Sequence, residues 1–231
     1  MRIATWNVHG CRGTAGWFRP RRAFDVLAEI RPDVIALQEA QHWLRPARGM
    51  FDSEAIEREL GLVPLAVTGR TGEQGWRGNV VLVRRDALLL RPPLGLCLGG
   101  MQPRGAVLAE LDLGGGPFRL IATHLSLGGA HRRQQAAAIL AAMETGAGPG
   151  LPTLLLGDFN EWRAEGSALA VLAARFGVPP PAPTFPALRP RLSLDRIMAD
   201  RPGLVRALAV HDTKLARRAS DHLPLVARLH L

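Results

Sequence analysis

Eight polar side chains, of types that bind metal ions or move protons, stand at the borders of short apolar runs in this 231-residue chain. One example is Asp158, which directly follows the run Leu154–Gly157. Because a buried strand fixes the direction of its last side chain, sheet proteins place binding and catalytic groups at strand ends. The repeated pattern predicts that the eight side chains converge on one site. They are Asn7, Glu39, His124, Asp158, Asn160, Asp195, Asp221 and His222.

Three members of this set suit a metal-ion site. Mg²⁺ prefers oxygen ligands and keeps several waters, so one or two carboxylates are enough to hold it. Glu39 fits the role of a direct ligand, while Asp221 and Asn7 would complete or orient the shell around the ion.

The other five suit the transfer of a phosphoryl group to water. Asp158 can accept a proton from the attacking water or orient it. Asn160, His124 and His222 can donate hydrogen bonds to the phosphate oxygens. A carboxylate such as Asp195 would keep His222 protonated.

Each residue taken alone also has a plainer structural explanation. An asparagine after a strand, such as Asn7, often satisfies a turn, and a lone histidine, such as His124, is more often a hydrogen-bonded structural group. Asp195 can simply pair with the neighbouring Arg196. Only the joint occurrence of all eight favours a catalytic site.

The elements that would carry these residues are short strands interspersed with a few amphipathic helices. The apolar spacing of Ala23, Val26, Leu27 and Ile30 predicts one helix. Ser53–Leu60 is a second, with Ser53 as its N-cap and Gly61 as its stop. Two further helices are predicted over 136–143, closed by Gly146, and over 168–176. The predicted strands are 3–6, 34–37, 62–67, 80–83, 106–111, 118–122, 153–156, 194–198, 205–210 and 223–229. Many strands with few helices favour mixed sheets, and the proline-rich stretch Pro179–Pro190 is predicted to be a long surface loop.

Length and composition predict a single domain over residues 1–231, with an apolar fraction of 47% that can fill a substantial core. No run of about 20 apolar residues occurs, so no membrane span is expected, and the first residues lack the features of a signal peptide. We therefore expect a cytoplasmic monomer. Cys11 and Cys97 show no metal-ligand spacing and are expected to be free thiols.

The formal net charge is +9, and Lys214 is the only lysine among 29 basic residues. A charge of this sign fits a polyanionic substrate such as nucleic acid, or an anionic lipid surface. A biased genome composition would produce the same arginine load, so the charge by itself does not decide between these explanations.

Seven blocks of the sequence, in order, resemble the endonuclease/exonuclease/phosphatase superfamily, the fold class of DNase I, exonuclease III-type AP endonucleases and inositol polyphosphate 5-phosphatases. The joint occurrence of Gln38-Glu39, Gly157-Asp158-Phe159-Asn160 and Ser220-Asp221-His222 is its strongest part. The blocks are 4–8, 37–39, 78–82, 123–125, 157–160, 194–197 and 220–224.

The resemblance implies an α/β (α+β) fold, a four-layer sandwich in which two packed mixed β-sheets are flanked by helices, and dependence on Mg²⁺ or Mn²⁺. It places Glu39, Asn7 and Asp221 at the metal, Asp158 on the water, and Asn160 and His124 on the phosphate, with Asp195 paired to His222. Whether His222 acts as a base or as a phosphate-binding cation stays open. Asn79 and Arg104 lie where the family often has residues that contact substrate.

Three functions follow as alternatives. The first is a metal-dependent nuclease acting on DNA, which the basic charge favours. The second is a phosphatase or a lipid or small-molecule phosphodiesterase with the same site. The third is a non-catalytic binding module, which the retention of Glu39, Asp158, Asn160 and His222 argues against. AP endonucleases often carry a tyrosine near the abasic site, whereas this chain has none.

Overall fold

The computed structural model describes residues 1–41, 49–67, 74–145 and 150–231 of the chain. Gly146, the predicted end of the third helix, lies outside these ranges. The strands of the described part are β1 Arg2–Asn7, β2 Val34–Gln38, β3 Leu62–Pro64, β4 Val80–Arg84, β5 Leu88–Leu89, β6 Leu94–Gly99, β7 Arg104–Asp112, β8 Pro117–His124, β9 Thr153–Asp158, β10 Asp195–Ala199, β11 Val205–Val210 and β12 Leu225–Leu229. The α-helices are α1 Pro20–Ile30, α2 Ser53–Leu60, α3 Gly129–Thr145, α4 Ser167–Phe176 and α5 Lys214–Ala219, and a 3₁₀ turn covers His9–Cys11.

The strands form two mixed sheets. The first has the order β11-β12-β1-β2-β4-β3, and the second has the order β10-β9-β8-β7-β5, with β6 also pairing with β7. Parallel pairs lie at the centre of each sheet, β1 with β2 and β8 with β9, and antiparallel pairs surround them.

The alternation of side chains along each strand builds the layers. On β1, Ile3 points into the core between the sheets, whereas Ala4 and Trp6 point to the opposite face. On β9, Leu154 and Leu156 enter the central core and Leu155 faces outward. Strand side chains alternate with a period of two, and successive residues of these strands are apolar. Each sheet is therefore apolar on both faces.

Helices cover the two outer faces. Helices α1, α2 and α5 pack on the first sheet, and α3 and α4 pack on the second. The layers are therefore helix, sheet, sheet and helix, which confirms the four-layer α/β sandwich with two packed mixed sheets.

Local signals explain most element boundaries. Helix α2 begins and ends as predicted, and Gly61 adopts the left-handed conformation that ends it (φ +67°). Its N-cap, however, is Asp52 rather than Ser53, since the Asp52 carboxylate accepts hydrogen bonds from the backbone N–H of Glu54 and Ala55.

Other expectations were inaccurate in detail. The strand predicted over 62–67 stops at Pro64, whereas β5, β6 and α5 were not predicted. The stretch Pro179–Pro190 has no helix or strand, but it is only partly a surface loop, because Thr184 and Ala187 are fully buried. Both cysteines are free thiols, as predicted.

One edge of the sandwich gathers the predicted site residues. The carboxyl ends of β1, β2, β8 and β9 lie at this edge, together with the amino ends of their antiparallel neighbours β4, β7, β10 and β12. We call it the catalytic edge, after the catalytic site that the sequence predicts there. Among the described residues, the helices are all too short or too polar to cross a membrane.

Candidate active site

Three neighbouring strands of the second sheet set the floor of the site. In the register of β8, β9 and β10, His124 lies beside Asp158, and Asp158 lies beside Asp195. All three side chains point toward the space between the two sheets, and they are almost completely buried. Gly157 (φ +149°) allows β9 to approach β8 here, since a Cβ would lie 1.8 Å from the carbonyl oxygen of Thr123.

The first sheet contributes Asn7 and Glu39. The amide nitrogen of Asn7 donates to Oε1 of Glu39 (3.1 Å) and to Oδ2 of Asp158 (2.9 Å), so this side chain joins the two sheets. Its amide oxygen accepts the backbone N–H of His9, which fixes the orientation of the amide. In this conformation Asn7 presents N–H groups to the carboxylates.

Asp158 is the centre of the hydrogen-bond network. Oδ1 of Asp158 accepts the backbone N–H of Asn160 (2.9 Å). The imidazoles of His124 and His222 lie 3.4 and 3.8 Å from its Oδ2, the oxygen that also accepts from Asn7. Burial by itself would raise the pKa of Asp158, but the two imidazoles and these donors outweigh burial and lower the pKa. Asp158 is therefore a carboxylate at neutral pH.

His124 is held as a neutral imidazole. Nη1 of Arg104 lies 3.0 Å from Nδ1 of His124, and because a guanidinium can only donate, Nδ1 must accept. The ring proton then belongs to Nε2, which faces Oδ2 of Asp158; the amide nitrogen of Asn160 lies 3.1 Å from Nε2 but, as a donor itself, donates to the carbonyl of Leu125 instead. Burial, with the Arg104 cation opposing the attraction of the Asp158 carboxylate, lowers the pKa of His124.

His222 is held as a cation. Its Nδ1 lies 2.8 Å from Oδ2 of Asp195, and the Thr184 hydroxyl donates to the same oxygen (2.5 Å). Burial opposes the charged ring, but the carboxylates of Asp195, Asp158 and Asp221 outweigh it and raise the pKa of His222 to about 10. The ring therefore presents a charged Nε2–H toward Asp158.

Asp221 lies to one side of this network. Its Oδ1 is 3.6 Å from Nδ1 of His9 and accepts the Ser220 hydroxyl (3.3 Å), and the side chain is about one-third exposed. The Ser220 hydroxyl also donates to the carbonyl of Asn7. Among the residues that the structure describes, no direct contact joins Asp221 to Glu39.

Two cavities flank the network. The first, of about 510 Å³, is polar and is lined by Glu39, Gln41, Arg77, Arg104 and His124 among others. The second, of about 400 Å³, is mostly apolar and lies between the turn after β1 and the loop 186–189. His9 and Asp221 line the second cavity and Gly10 lines the first, so the 3₁₀ turn separates them.

The two weaker predictions differ in placement. Arg104 lines the polar cavity and contacts His124, where a guanidinium can reach a bound anion. Asn79 is buried, and its amide nitrogen donates to the backbone carbonyls of Trp76 and Gly105. That geometry supports the wall of the cavity, while its role as a substrate contact stays a prediction.

The structure also adds residues that were not predicted. Thr184 orients Asp195, Ser220 ties the end of α5 to Asn7, and Glu161 anchors the loop after Asn160 through Arg132. Ser220 lies within the block 220–224, whereas Thr184 lies outside the seven blocks and no sequence signal marks Glu161 as buried.

Two groups of side chains offer ligand atoms to a divalent cation. Atoms of Asp158, Asp195 and His222 lie within 4.8 Å of one another, but the raised pKa of His222 makes its ring a cation that would repel a metal ion. Glu39 provides a half-buried carboxylate at the wall of the polar cavity. A hard oxygen donor that faces open space is the better fit for Mg²⁺ or Mn²⁺.

Comparison with known proteins agrees with this fold. Residues 4–222 match the model of the Endonuclease/Exonuclease/phosphatase family. The uncharacterized protein YbhP of Escherichia coli (strain K12) is 32% identical over a 266-residue alignment that covers all of this chain and 96% of that protein.

Two solved structures show the same fold at lower identity. The mannosyl-6-phosphatase Bt3783 of Bacteroides thetaiotaomicron VPI-5482 has a TM-score of 0.75 at 18% identity, with complete coverage of both chains. TDP2 of D. rerio, complexed with a single-strand DNA product, has a TM-score of 0.66 at 17% identity, with 98% and 97% of the two chains covered.

Proposed function

The chain belongs to the endonuclease/exonuclease/phosphatase family, and on that premise we propose that it is a divalent-metal-dependent hydrolase of phosphodiester bonds. The observation that carries the proposal is the pairing, around one buried carboxylate, of a cationic imidazole with a neutral one. Members of this family are hydrolases that act on phosphoester bonds.

The metal side of the proposed site is Glu39, with Asn7 beside it. A divalent cation bound there would neutralise charge on the phosphate and on the leaving oxygen. Asp221 lies nearer to the apolar cavity, so we assign it to the outer part of the metal site, where it adds negative charge.

The water side of the site is Asp158. As a carboxylate oriented by Asn7 and Asn160, it accepts the proton of a water that attacks the phosphorus in line with the leaving group. Its fixed hydrogen bonds leave it little freedom to rotate, and this preorganisation lowers the cost of reaching the transition state.

The phosphate side consists of His222, His124, Asn160 and Arg104. The charged Nε2–H of His222 donates to a non-bridging oxygen, and Asp195 maintains that charge. His124 and Asn160 add neutral donors. These groups favour the transition state, in which negative charge on the phosphoryl oxygens is best matched by fixed donors.

Residues 1–231 are proposed to form one such domain, since the central core is shared by both sheets. DNA is the substrate that the net charge of +9 favours. A lipid phosphodiester is the second candidate, and one specific observation favours it: large apolar side chains are exposed on loops of the catalytic edge.

A substrate panel separates these candidates. The Mg²⁺-loaded protein is incubated with plasmid, single-stranded and abasic-site DNA, with phospholipid in mixed micelles, and with a phosphomonoester, each with and without EDTA. We expect EDTA-sensitive turnover of at least one phosphodiester. Turnover of the phosphomonoester alone would contradict the phosphodiesterase proposal, and turnover of lipid without DNA cleavage would contradict the nuclease.

A further inference from the structure

Large apolar side chains are exposed on five loops of the catalytic edge. Met101 is 92% exposed, Leu127 71% and Trp17 70%, and Leu188, Trp162 and Phe18 are about half exposed. Leaving such side chains in water is unfavourable, and a concentration of them at one place marks a surface that binds an apolar partner.

The topology places these loops together. Loops 8–19, 125–128 and 159–166 follow the carboxyl ends of β1, β8 and β9, and loops 100–103 and 177–194 precede β7 and β10. Because β7 and β10 run antiparallel to β8 and β9, all five loops emerge at the catalytic edge. The apolar side chains therefore surround the entrance to the site.

The same five loops carry a strong positive charge. Four arginines are exposed on them, whereas Glu165 is their one exposed carboxylate, since Glu161 is buried. A rim that combines arginines with tryptophan, phenylalanine and leucine suits an interface between an anionic surface and an apolar phase. The exposed arginines are Arg19, Arg163, Arg189 and Arg191.

We propose that the catalytic edge docks on an anionic phospholipid membrane, with these apolar side chains entering the headgroup region. The arginines pair with anionic headgroups near such a surface. This inference rests on the proposed function, because the docked orientation would bring a lipid phosphate to His222 and Asp158.

Single-stranded nucleic acid also binds surfaces of arginine and aromatic residues, because bases stack on aromatic rings. Met101, Leu127 and Leu188 argue for the membrane instead, since aliphatic side chains provide no ring for stacking and gain most from an apolar phase. The apolar cavity of about 400 Å³ beside Asp221, lined by Pro186, Ala187 and Leu188, extends this surface into the site.

Vesicle co-sedimentation tests the docking without any turnover. The full chain in EDTA is mixed with vesicles of phosphatidylcholine alone, or with vesicles in which about one-third of the lipid is phosphatidylglycerol. The phosphatidylglycerol provides the anionic surface that the arginines need. The expected result is binding to the anionic vesicles that persists in part at high salt, because salt screens charges but not apolar insertion.

A pair of matched double variants identifies the surface. Met101→Ser with Leu127→Ser removes two exposed aliphatic side chains of the catalytic edge, and Leu88→Ser with Leu94→Ser removes two exposed leucines of β5 and β6. We expect the first variant to lower vesicle partitioning by about 10-fold or more, the effect of losing two inserted side chains, and the second to bind like the parent.

Three outcomes would overturn docking. The first is no vesicle binding by the parent, and the second is an equal loss of vesicle binding in both double variants. The third is a first variant that binds vesicles like the parent and loses only its binding to a single-stranded oligonucleotide. Turnover of the soluble substrate bis(p-nitrophenyl) phosphate reports separately on the site, and the first variant should retain it. A chain that binds vesicles but is inert with Mg²⁺ on every phosphodiester would contradict the proposed function and leave docking intact.

Discussion

Thr184 shows how a single hydroxyl from a distant loop can set the charge of the site. Its oxygen lies 2.5 Å from Oδ2 of Asp195, the same oxygen that faces Nδ1 of His222. Thr184 is fully buried, so its hydroxyl does not contact the proposed phosphate position and acts through Asp195. It is therefore a positioning residue, whose effect is to hold the carboxylate against the imidazole.

Replacing Thr184 with valine should lower kcat by about 10-fold, the scale of losing an outer-shell partner that orients a ligand or catalytic group. KM should change little, since Thr184 does not touch substrate. Thr184→Ser keeps the hydroxyl and should restore most of the activity. Equal losses in the valine and serine variants would indicate a packing role for the side chain instead.

The two thiols should differ sharply in reactivity. Cys11 is buried, and burial raises its pKa to about 12, whereas Cys97 is exposed. At pH 9 the thiolate fraction of Cys11 is then on the order of 10⁻³. We expect one equivalent of a disulfide reagent to react with the native chain and a second only after denaturation. Two rapid equivalents would show that the turn after β1 opens in solution.

Residue types and spacing predicted that eight polar side chains would converge, and most of them lie in contact, whereas Asp221 lies to one side. Asn7, Glu39, His124, Asp158 and His222 form one network in the structure, although they come from three separate strands and two loops. The charge of His222 was predicted from its pairing with Asp195, whereas the neutral form of His124 was not, because it depends on the contact with Arg104. That contact is a product of tertiary packing.

Glu161 illustrates the same limit for the loop between β9 and α4. Its carboxylate accepts hydrogen bonds from Arg132, from the backbone N–H of Arg163, and from both the backbone and hydroxyl of Ser167. Gly166 packs so closely that a Cβ there would lie 2.1 Å from the Glu161 carboxyl carbon. The loop that carries Asn160 is thereby fixed to α3 and α4.

Glu161→Gln should destabilise the fold by about 2 kcal/mol at neutral pH, because it replaces charge-assisted hydrogen bonds and leaves Arg132 without its carboxylate. Burial opposes the charged form, but the Arg163 N–H, Ser167 and Arg132 outweigh it and lower the pKa of Glu161. Its stabilisation is then present above the ordinary glutamate pKa and is lost as pH falls through the lowered value.

The stability difference between the parent and the variant should therefore shrink in acid. Urea unfolding at pH 7 and at pH 3.5 measures it, with the exposed Glu165→Gln as the matched control. A stability difference between parent and variant that stays constant over this pH range would mean that the carboxyl group of Glu161 is protonated in the folded chain.

Elements with strong periodicity were predictable and those that depend on neighbours were not. The spacing of Val26 and Ile30 identified α1, and the apolar run at Leu154 identified β9. Strand β6 alternates leucine with glycine and cysteine, so it lacks the contrast of apolar and polar residues that marks a half-buried strand, and among the described residues it pairs only with β7. Helix α5 spans only six residues, too few to show a helical period.

At the scale of the whole molecule, the two sheets depend on each other. Ile3, Val34 and Leu225 of the first sheet pack in the same core as Leu120 and Leu154 of the second. Asn7 adds a polar link between the sheets at the catalytic edge. Neither sheet alone would bury its inner face, so the two are expected to unfold together.

Calorimetry should accordingly show one unfolding transition, with equal calorimetric and van't Hoff enthalpies. The same midpoint is expected when near-UV and far-UV circular dichroism follow the transition. Two separate transitions would contradict the proposal that residues 1–231 form one domain.

The central claim is that Asp158 and a divalent cation together drive phosphodiester hydrolysis. The most direct test measures turnover of bis(p-nitrophenyl) phosphate by the parent and by Asp158→Asn, each with Mg²⁺, with Mn²⁺ and with EDTA, with Asp212→Asn as an exposed control. We predict that EDTA abolishes turnover, that metal restores it, and that Asp158→Asn lowers kcat by about 10² or more while the variant keeps the circular dichroism spectrum of the folded parent. Turnover that survives EDTA, or near-full activity in a folded Asp158→Asn variant, would contradict the claim.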